Sequence, residues 1–234
     1  MPPTIHTIGE VGLIQRIRRR VGSARSVQVG IGDDAAVLRW PAGAYTGSKG
    51  GARTRLLMTS DMLIEGVHFL RHRVPAEWVG WKAMASSVSD IAAMGGVPHW
   101  AVVSLGLPHT TSVAFVDGLY AGLTRCARRF GCSIVGGDTV RAPQVVVDVT
   151  IVGTVTRDQL TLRSGARVGD RLYVTGALGG SYRSGRHARF LPRLAVAQRL
   201  VTHFPIHAMM DLSDGLAQDL WQLSRASKTI LRVD

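Results

Sequence analysis

Val145-Val-Val-Asp-Val-Thr-Ile-Val-Gly-Thr-Val155 is rich in β-branched residues and alternates along its length, so it reads as a β-strand. The two longest patterned stretches before it have a different period. From Ala76 to Met94, Trp78, Trp81, Met84, Ala85, Val88 and Ile91 recur at helical spacing, and Gly95-Gly96 ends the run. Val113 to Phe130 repeats the pattern and Gly131 closes it. Between these helices Ala101–Leu107 is apolar and strand-like, and Ser133-Ile-Val135 is a short strand running into a Gly136-Gly-Asp138 turn. Further upstream, Thr7-Ile-Gly-Glu10 is a capping box that opens a helix ending at Gly22. Val27–Val29 and Ala36–Leu38 are short strands, residues 41–55 a loop, and Leu56–Ser60 a strand delivering Asp61 at its end. Downstream, 171–175, 206–210 and 230–233 read as strands, and 191–203 and 214–226 as helices. Strands and helices mix without strict alternation, so the expected class is α+β. The expectation is an N-terminal mixed sheet with helices on one face over residues 1–156, then an α/β part over 157–234.

Bulk composition limits the functions available. The chain has 234 residues, 46% of them hydrophobic and 19% charged, enough apolar material for a core and too little charge for a disordered chain. The apolar runs fall short of a membrane span, and the N-terminus lacks the pattern of a secretory leader, so a cytoplasmic protein is expected. Cys126 and Cys132 have no metal-ligand spacing and read as buried thiols. The net charge of +12 comes almost wholly from arginine, the lysines being Lys49, Lys82 and Lys228. These arginines are scattered and do not interleave with aromatics, so no nucleic-acid partner is expected.

Chemistry is indicated by the placement of acids. Of 16 acidic residues, Asp33, Asp34, Asp61, Asp90, Asp138, Asp211 and Asp214 stand beside Gly, Ser or Thr at the ends of apolar segments. Each one alone has an ordinary explanation: a turn, a helix cap, or a carboxylate satisfied by a neighbour. Together they are poorly explained as turns. Carboxylates from distant segments that meet at one point repel and require a cation. Oxygen-only donors, with Thr59, Ser60, Ser89, Thr139 and Ser213 nearby, suit Mg²⁺ or Ca²⁺ and not zinc. The Gly-x4-Gly-Lys-[Ser/Thr] loop, the three-glycine dinucleotide fingerprint, His-Glu-x-x-His and Gly-x-Ser-x-Gly are all missing from the sequence.

Seven short motifs occur in order: Ile31-Gly-Asp-Asp-Ala-Ala-Val37; Thr59-Ser-Asp61 with His68-Phe69; Lys82 to Gly95; Gly136-Gly-Asp-Thr139; Thr161-Leu-Arg-Ser-Gly-Ala166; Gly169-Asp170; and Asp211-Leu-Ser-Asp-Gly-Leu216. This set resembles the thiamine-monophosphate kinases, within the superfamily that includes aminoimidazole ribonucleotide synthetase and selenophosphate synthetase. The resemblance implies several Mg²⁺ ions around ATP, held by Asp34, Asp61, Asp90, Asp138 and Asp211 with Thr59 or Ser60, and a further ion at Asp214. It implies ATP contacts from Gly137, Asp138, Arg163 and Ser213, and an acceptor contact from His68. The implied reaction moves the γ-phosphoryl group of ATP onto the phosphate of thiamine monophosphate, without a side-chain nucleophile, in a homodimer with ATP near the interface. Two departures accompany it. The chain is short at its C-terminus and lacks a Gly-Gly-Glu-Asp-Tyr-type segment, and residues 183–193 are short and basic where relatives carry a longer insert. Other readings are a cyclo-ligase or selenophosphate-synthetase type of enzyme, a non-catalytic nucleotide-binding remnant, or a basic nucleic-acid-binding module.

Overall fold

A computed structural model describes residues 5–21, 24–39 and 54–233. Its elements are α1 (Ile5–Arg20), β1 (Val27–Val29), β2 (Ala36–Leu38), β3 (Thr54–Ile64), α2 (Ala76–Ala93), β4 (Val97–Leu107), α3 (Val113–Arg129), β5 (Ser133–Arg141), β6 (Val146–Thr156), α4 (Arg186–Arg189), α5 (Leu194–His203) and α6 (Leu216–Ser227). The first helix begins ahead of Thr7 and is interrupted at Gly9, whose φ of 63° is not helical. The expected loop over 41–55 lies outside the described residues up to position 53.

Six strands form one mixed sheet in the order β1-β2-β3-β6-β4-β5. All neighbours are antiparallel except β4 and β5, which run parallel and are joined by α3. The strand read from Val145–Val155 is β6, and it sits between β3 and β4 with long ladders on both sides. Its alternation is realised as burial. Val147, Val149, Ile151 and Val155 are buried against the helices, while Asp148, Thr150, Val152 and Thr154 line the opposite face. Two β-layer expectations change. β3 extends to Ile64, so Asp61 stands inside a strand rather than at its end. β5 runs straight through Gly136, Gly137 and Asp138 instead of turning there. Gly137 is needed for packing, because a Cβ on it would lie 1.8 Å from the Val103 carbonyl oxygen.

Helices α2 and α3 cover the inner face of the sheet. Val79, Met84, Val88, Ile91, Leu119 and Leu123 pack with the inward side chains of β3, β4 and β6 into one core. Both cysteines are buried there, and burial pushes their thiols up to about 12 (Cys126) and about 11 (Cys132). The buried hydroxyl of Ser87 donates to Val149 O at 2.8 Å and ties α2 to the middle of β6. Residues beyond β6 pack on the other flank of α2. Trp81 Nε1 donates to Phe190 O at 2.8 Å and Gln198 Nε2 to Gly96 O at 3.2 Å. Segments 171–175, 206–210 and 230–233 are not strands. An extended segment becomes a strand only when a neighbour completes its ladder; in residues 206–210 Met209 N–H donates to Leu162 O at 3.0 Å, and no ladder follows.

The two helices cross unusually closely. A Cβ on Gly80 would lie 1.9 Å from Leu119 O, and one on Gly122 would lie 1.9 Å from Glu77 O. Backbone lies against backbone at this crossing, so neither position has room for a methyl group. Gly122→Ala is expected to force α2 and α3 apart and to lower unfolding stability by about 1–3 kcal/mol. Urea denaturation followed by circular dichroism measures this, and an unchanged midpoint would contradict the crossing described.

Candidate functional site

Helix α2 lies across β3 so that Asp90, three residues before the helix end, faces Thr59 in the strand. Thr59 Oγ1 donates to Asp90 Oδ2 at 2.5 Å. Alternation along β3 puts Thr59 and Asp61 on this inner face and Ser60 on the other. Asp61 is linked to Asp90 by a side-chain hydrogen bond. Asp34, reached through the Gly32-Asp33-Asp34 turn before β2, and Asp211, on the loop before α6, arrive from opposite ends of the chain. Asp34, Asp90 and Asp211 each offer a carboxylate oxygen, and these oxygens lie within 4.8 Å of one another. Asp34 is buried, Asp90 and Asp211 half-buried. Ser89 hydrogen-bonds to Asp211.

Arg163 enters the same cluster. Its Nη2 donates to Asp34 Oδ1 at 2.5 Å and its Nη1 to Gln222 Oε1 at 2.7 Å, while its backbone N–H donates to Asp33 at 3.1 Å. One guanidinium does not balance this many acids. Burial pushes the carboxyls of Asp34 and Asp61 up to about 6, Asp211 up to about 7 and Asp90 up to about 9. Neighbouring acids add to each shift: Asp33 on Asp34, Asp211 on Asp61, Asp34 on Asp211, and Asp61 on Asp90. The buried Oδ2 of Asp34 has no hydrogen-bond partner among the described residues. Converging oxygen donors, raised carboxyl pKa values and an orphaned buried carboxylate oxygen together fit one or more hard divalent cations.

The other expected site residues are placed differently. Ser60 is on the outer face, where its hydroxyl donates to Asp148 at 2.9 Å and meets Thr150 at 2.8 Å. Asp138 is exposed on the edge strand β5, opposite Ser104. Three strand spacings, about 14 Å, separate β5 from β3, so within one chain Asp138 does not join the cluster. Gly137 adjoins it. Ser213 and Asp214 are exposed on the loop after Asp211. His68 follows β3. Its Nδ1 accepts from Ile64 N–H at 2.9 Å, which leaves the proton of the neutral ring on Nε2. Burial, with Lys82 beside it, holds the His68 pKa below its usual value, and Lys82 Nζ donates to His68 O at 3.1 Å. Asp33, one of the seven acids singled out in the sequence, contacts Arg163, and Asp148, Gln222 and Asp219 contact these groups without having been singled out.

Residues 32–155 match the family model for the N-terminal domain of AIR synthase related proteins. A thiamine-monophosphate kinase of Rhodopirellula baltica is 38% identical over 221 residues, covering 94% of this chain and 68% of the relative. This chain belongs to the thiamine-monophosphate kinase family. The Bacillus subtilis thiamine-monophosphate kinase is 36% identical, over 93% of this chain and 70% of its own length. Among solved structures, AaThiL complexed with AMPPCP and TMP superposes with a TM-score of 0.82 at 32% identity, covering 97% of this chain and 73% of that one. The Aquifex aeolicus thiamine monophosphate kinase gives 0.76 at 34% identity, over 93% and 73%. No helix among the described residues is long and apolar enough to cross a membrane.

The raised carboxyl pKa values set a sign. A carboxyl that binds its proton more tightly folded than unfolded adds stability that is fully present below about 4. That stability is lost as pH rises through the folded value, here about 6 for Asp34 and Asp61, about 7 for Asp211 and about 9 for Asp90. Thermal melts without divalent ions should therefore fall between pH 5 and pH 9. Added Mg²⁺ should raise the midpoint, and by more at pH 8 than at pH 5. Asp90→Asn should melt higher than the parent at pH 8 without Mg²⁺ and respond less to the ion. Melts of the parent that ignore both pH and Mg²⁺ would contradict a cation site.

Proposed function

We propose that this chain catalyses ATP-dependent phosphorylation of thiamine monophosphate to thiamine diphosphate. The observation that carries the reading is the convergence of Asp34, Asp61, Asp90 and Asp211 on a chain of this kinase family. Both reactants are polyphosphorylated or phosphorylated anions, so their encounter is opposed by charge. Mg²⁺ bound by Asp34, Asp90 and Asp211, with Asp61 and Thr59 beside them, supplies the positive charge that neutralises the phosphates.

The chain's own residues bind and orient. Arg163, whose guanidinium lies between Asp34 and Gln222, would turn its fork onto a phosphate. An oxygen of the acceptor phosphate forms the new bond to the γ-phosphorus. The bond from that phosphorus to the β,γ-bridging oxygen breaks, and ADP leaves with the electron pair. The second ionisation of a phosphate monoester lies near 6, so the attacking oxygen is already deprotonated at neutral pH. A general base is not required. His68, with Nε2–H available, serves as a donor to the acceptor rather than as a base.

The outer face of the sheet supports a homodimer. Met58 and Trp100 flank Val152, and Ser60 and Val102 flank Thr150, in the strand register. Met58 is 45% and Trp100 49% exposed. A sheet face of this composition is suited to a protein partner. In this reading residues 1–156 bind the nucleotide and pair with a second copy, 157–234 supply Arg163 and Asp211, and the protein works in the cytoplasm. Gly137 and Asp138 then act from the paired side of the sheet, and Ser213 and Asp214 from the loop beside Asp211.

Two measurements test these points. Incubation with ATP, Mg²⁺ and thiamine monophosphate should yield thiamine diphosphate by chromatography, and Asp90→Asn should reduce the yield to background. Absence of Mg²⁺-dependent ATP binding by the parent chain would sink the reading. For the dimer, Trp100→Glu with Val102→Glu should convert the sedimenting species from two copies to one, and a parent that already sediments as a monomer would refute the pairing.

A further inference from the structure

Asp211 reaches the cluster on a loop with little to hold it. Residues 211–215 form neither helix nor strand, and Leu212 to Gly215 are exposed. Gly215, with φ of 110°, turns the chain into α6. The main-chain amides of this turn are gathered chiefly by one side chain. Asp219 accepts from Gly215 N–H at 3.1 Å and from Asp214 N–H at 3.4 Å, and the Ser213 amide is also within its reach. Asp219 N–H in turn donates to Gly215 O at 3.0 Å. The residue is 1% exposed.

An acidic side chain in the first turn of a helix often does no more than complement the helix dipole. That role is met at the surface, without desolvating the charge. Asp219 is instead buried, and its negative charge works against the neighbouring Asp211. On electrostatics alone, a further buried negative charge beside this cluster is unfavourable. What the carboxylate supplies is an acceptor for consecutive loop amides, which fixes the backbone that carries Asp211. Helix α6 also carries Gln222, bonded to Arg163 Nη1, and Ser227, whose hydroxyl donates to Arg163 O at 2.8 Å. One helix thus holds both the Arg163 segment and the Asp211 loop.

We infer that Asp219 is a positioning residue of the ion site, gathering the amides of the Asp211–Gly215 loop so that the Asp211 carboxylate stands beside those of Asp34 and Asp90. This rests on the cation reading of the cluster given above. Asp219 touches no ion or substrate itself and acts through the loop.

The test uses the full chain with Asp219→Ala and Asp219→Asn. Mg²⁺ binding is measured by titration calorimetry, loop order by hydrogen exchange of residues 212–215, and overall fold by circular dichroism. Losing a group that orients a metal ligand typically weakens the metal about 10- to 100-fold, and that is the loss expected for Asp219→Ala. Exchange across 212–215 should quicken while the amides of β3 and β6 stay protected. Asp219→Asn keeps an acceptor oxygen and should recover part of both losses. The inference is overturned if Asp219→Ala binds Mg²⁺ as the parent does, if binding weakens with loop exchange unchanged, or if both variants lose the sheet as well. A parent chain that takes up no Mg²⁺ overturns the proposed function and this inference with it, whereas a parent that binds alongside an equally competent Asp219→Ala overturns this inference alone.

Discussion

Mutual repulsion among carboxylates is the constraint around which this molecule is arranged. Asp34, Asp61, Asp90 and Asp211 come from four separate segments, and nothing in their local sequence obliges them to meet. They meet because α2 is pinned across β3 and β6, by the buried Val79–Ile91 face and by the Ser87 bond to Val149. That contact is apolar and extensive, and it is independent of the acids. The close crossing of α2 with α3, at Gly80 and Gly122, leaves the helix little freedom to shift. The core therefore holds Asp90 against Thr59 whether or not the acids favour the arrangement, and protons or a cation must make up the difference.

The sheet divides the expected site residues into two sets. Alternation is strict along β3, so Thr59 and Asp61 turn toward α2 and Ser60 away. On the outer face the register lines up Met62, Asp148, Ser104 and Asp138, one row beyond Ser60, Thr150 and Val102 and two beyond the apolar row of Met58, Val152 and Trp100. Asp138 stands in the first of these rows, on the face suited to a second copy. A nucleotide touched by both Asp90 and Asp138 cannot pass through a hydrogen-bonded sheet, so it has to reach them around a strand end or with the second copy's help. This is the physical reason that the pairing of chains and the binding of ATP belong to one reading.

Much of this was legible in the sequence. The β6 strand and the two long helices carry unmistakable periods, and their assignments survive within a residue or two. The acids of the inner cluster were legible because each stands beside Gly, Ser or Thr at the end of an apolar segment. Other features were not. From the sequence, Gly136-Gly-Asp138 reads as a turn-like setting at the end of an apolar segment. Here Gly137 is in a strand, because backbone approaches too closely for any side chain. The split between Thr59 and Ser60 was available from strand parity once β3 was taken to run past Asp61. Asp148 gave a signal, an acid on the outward parity of a β-branched strand. Asp219 gave none, since a first-turn acid in an amphipathic helix is ordinary, and its burial depends on how α6 docks. The segments 171–175 and 206–210 have strand composition, but composition does not provide a neighbour.

Arg163 shows how such a site survives before a cation arrives. Its guanidinium is bonded to Asp34, its backbone N–H to Asp33, and its far nitrogen to Gln222, so it is held from three sides. A lysine could not replace it, because a single ammonium lacks the planar fork that reaches two acceptors in fixed directions. Yet one positive charge against several acids leaves Asp34 Oδ2 without a hydrogen-bond partner among the described residues and the carboxyl pKa values raised. A cation is therefore favoured at this point for a reason separate from catalysis, since it relieves a repulsion that the folded core has already imposed.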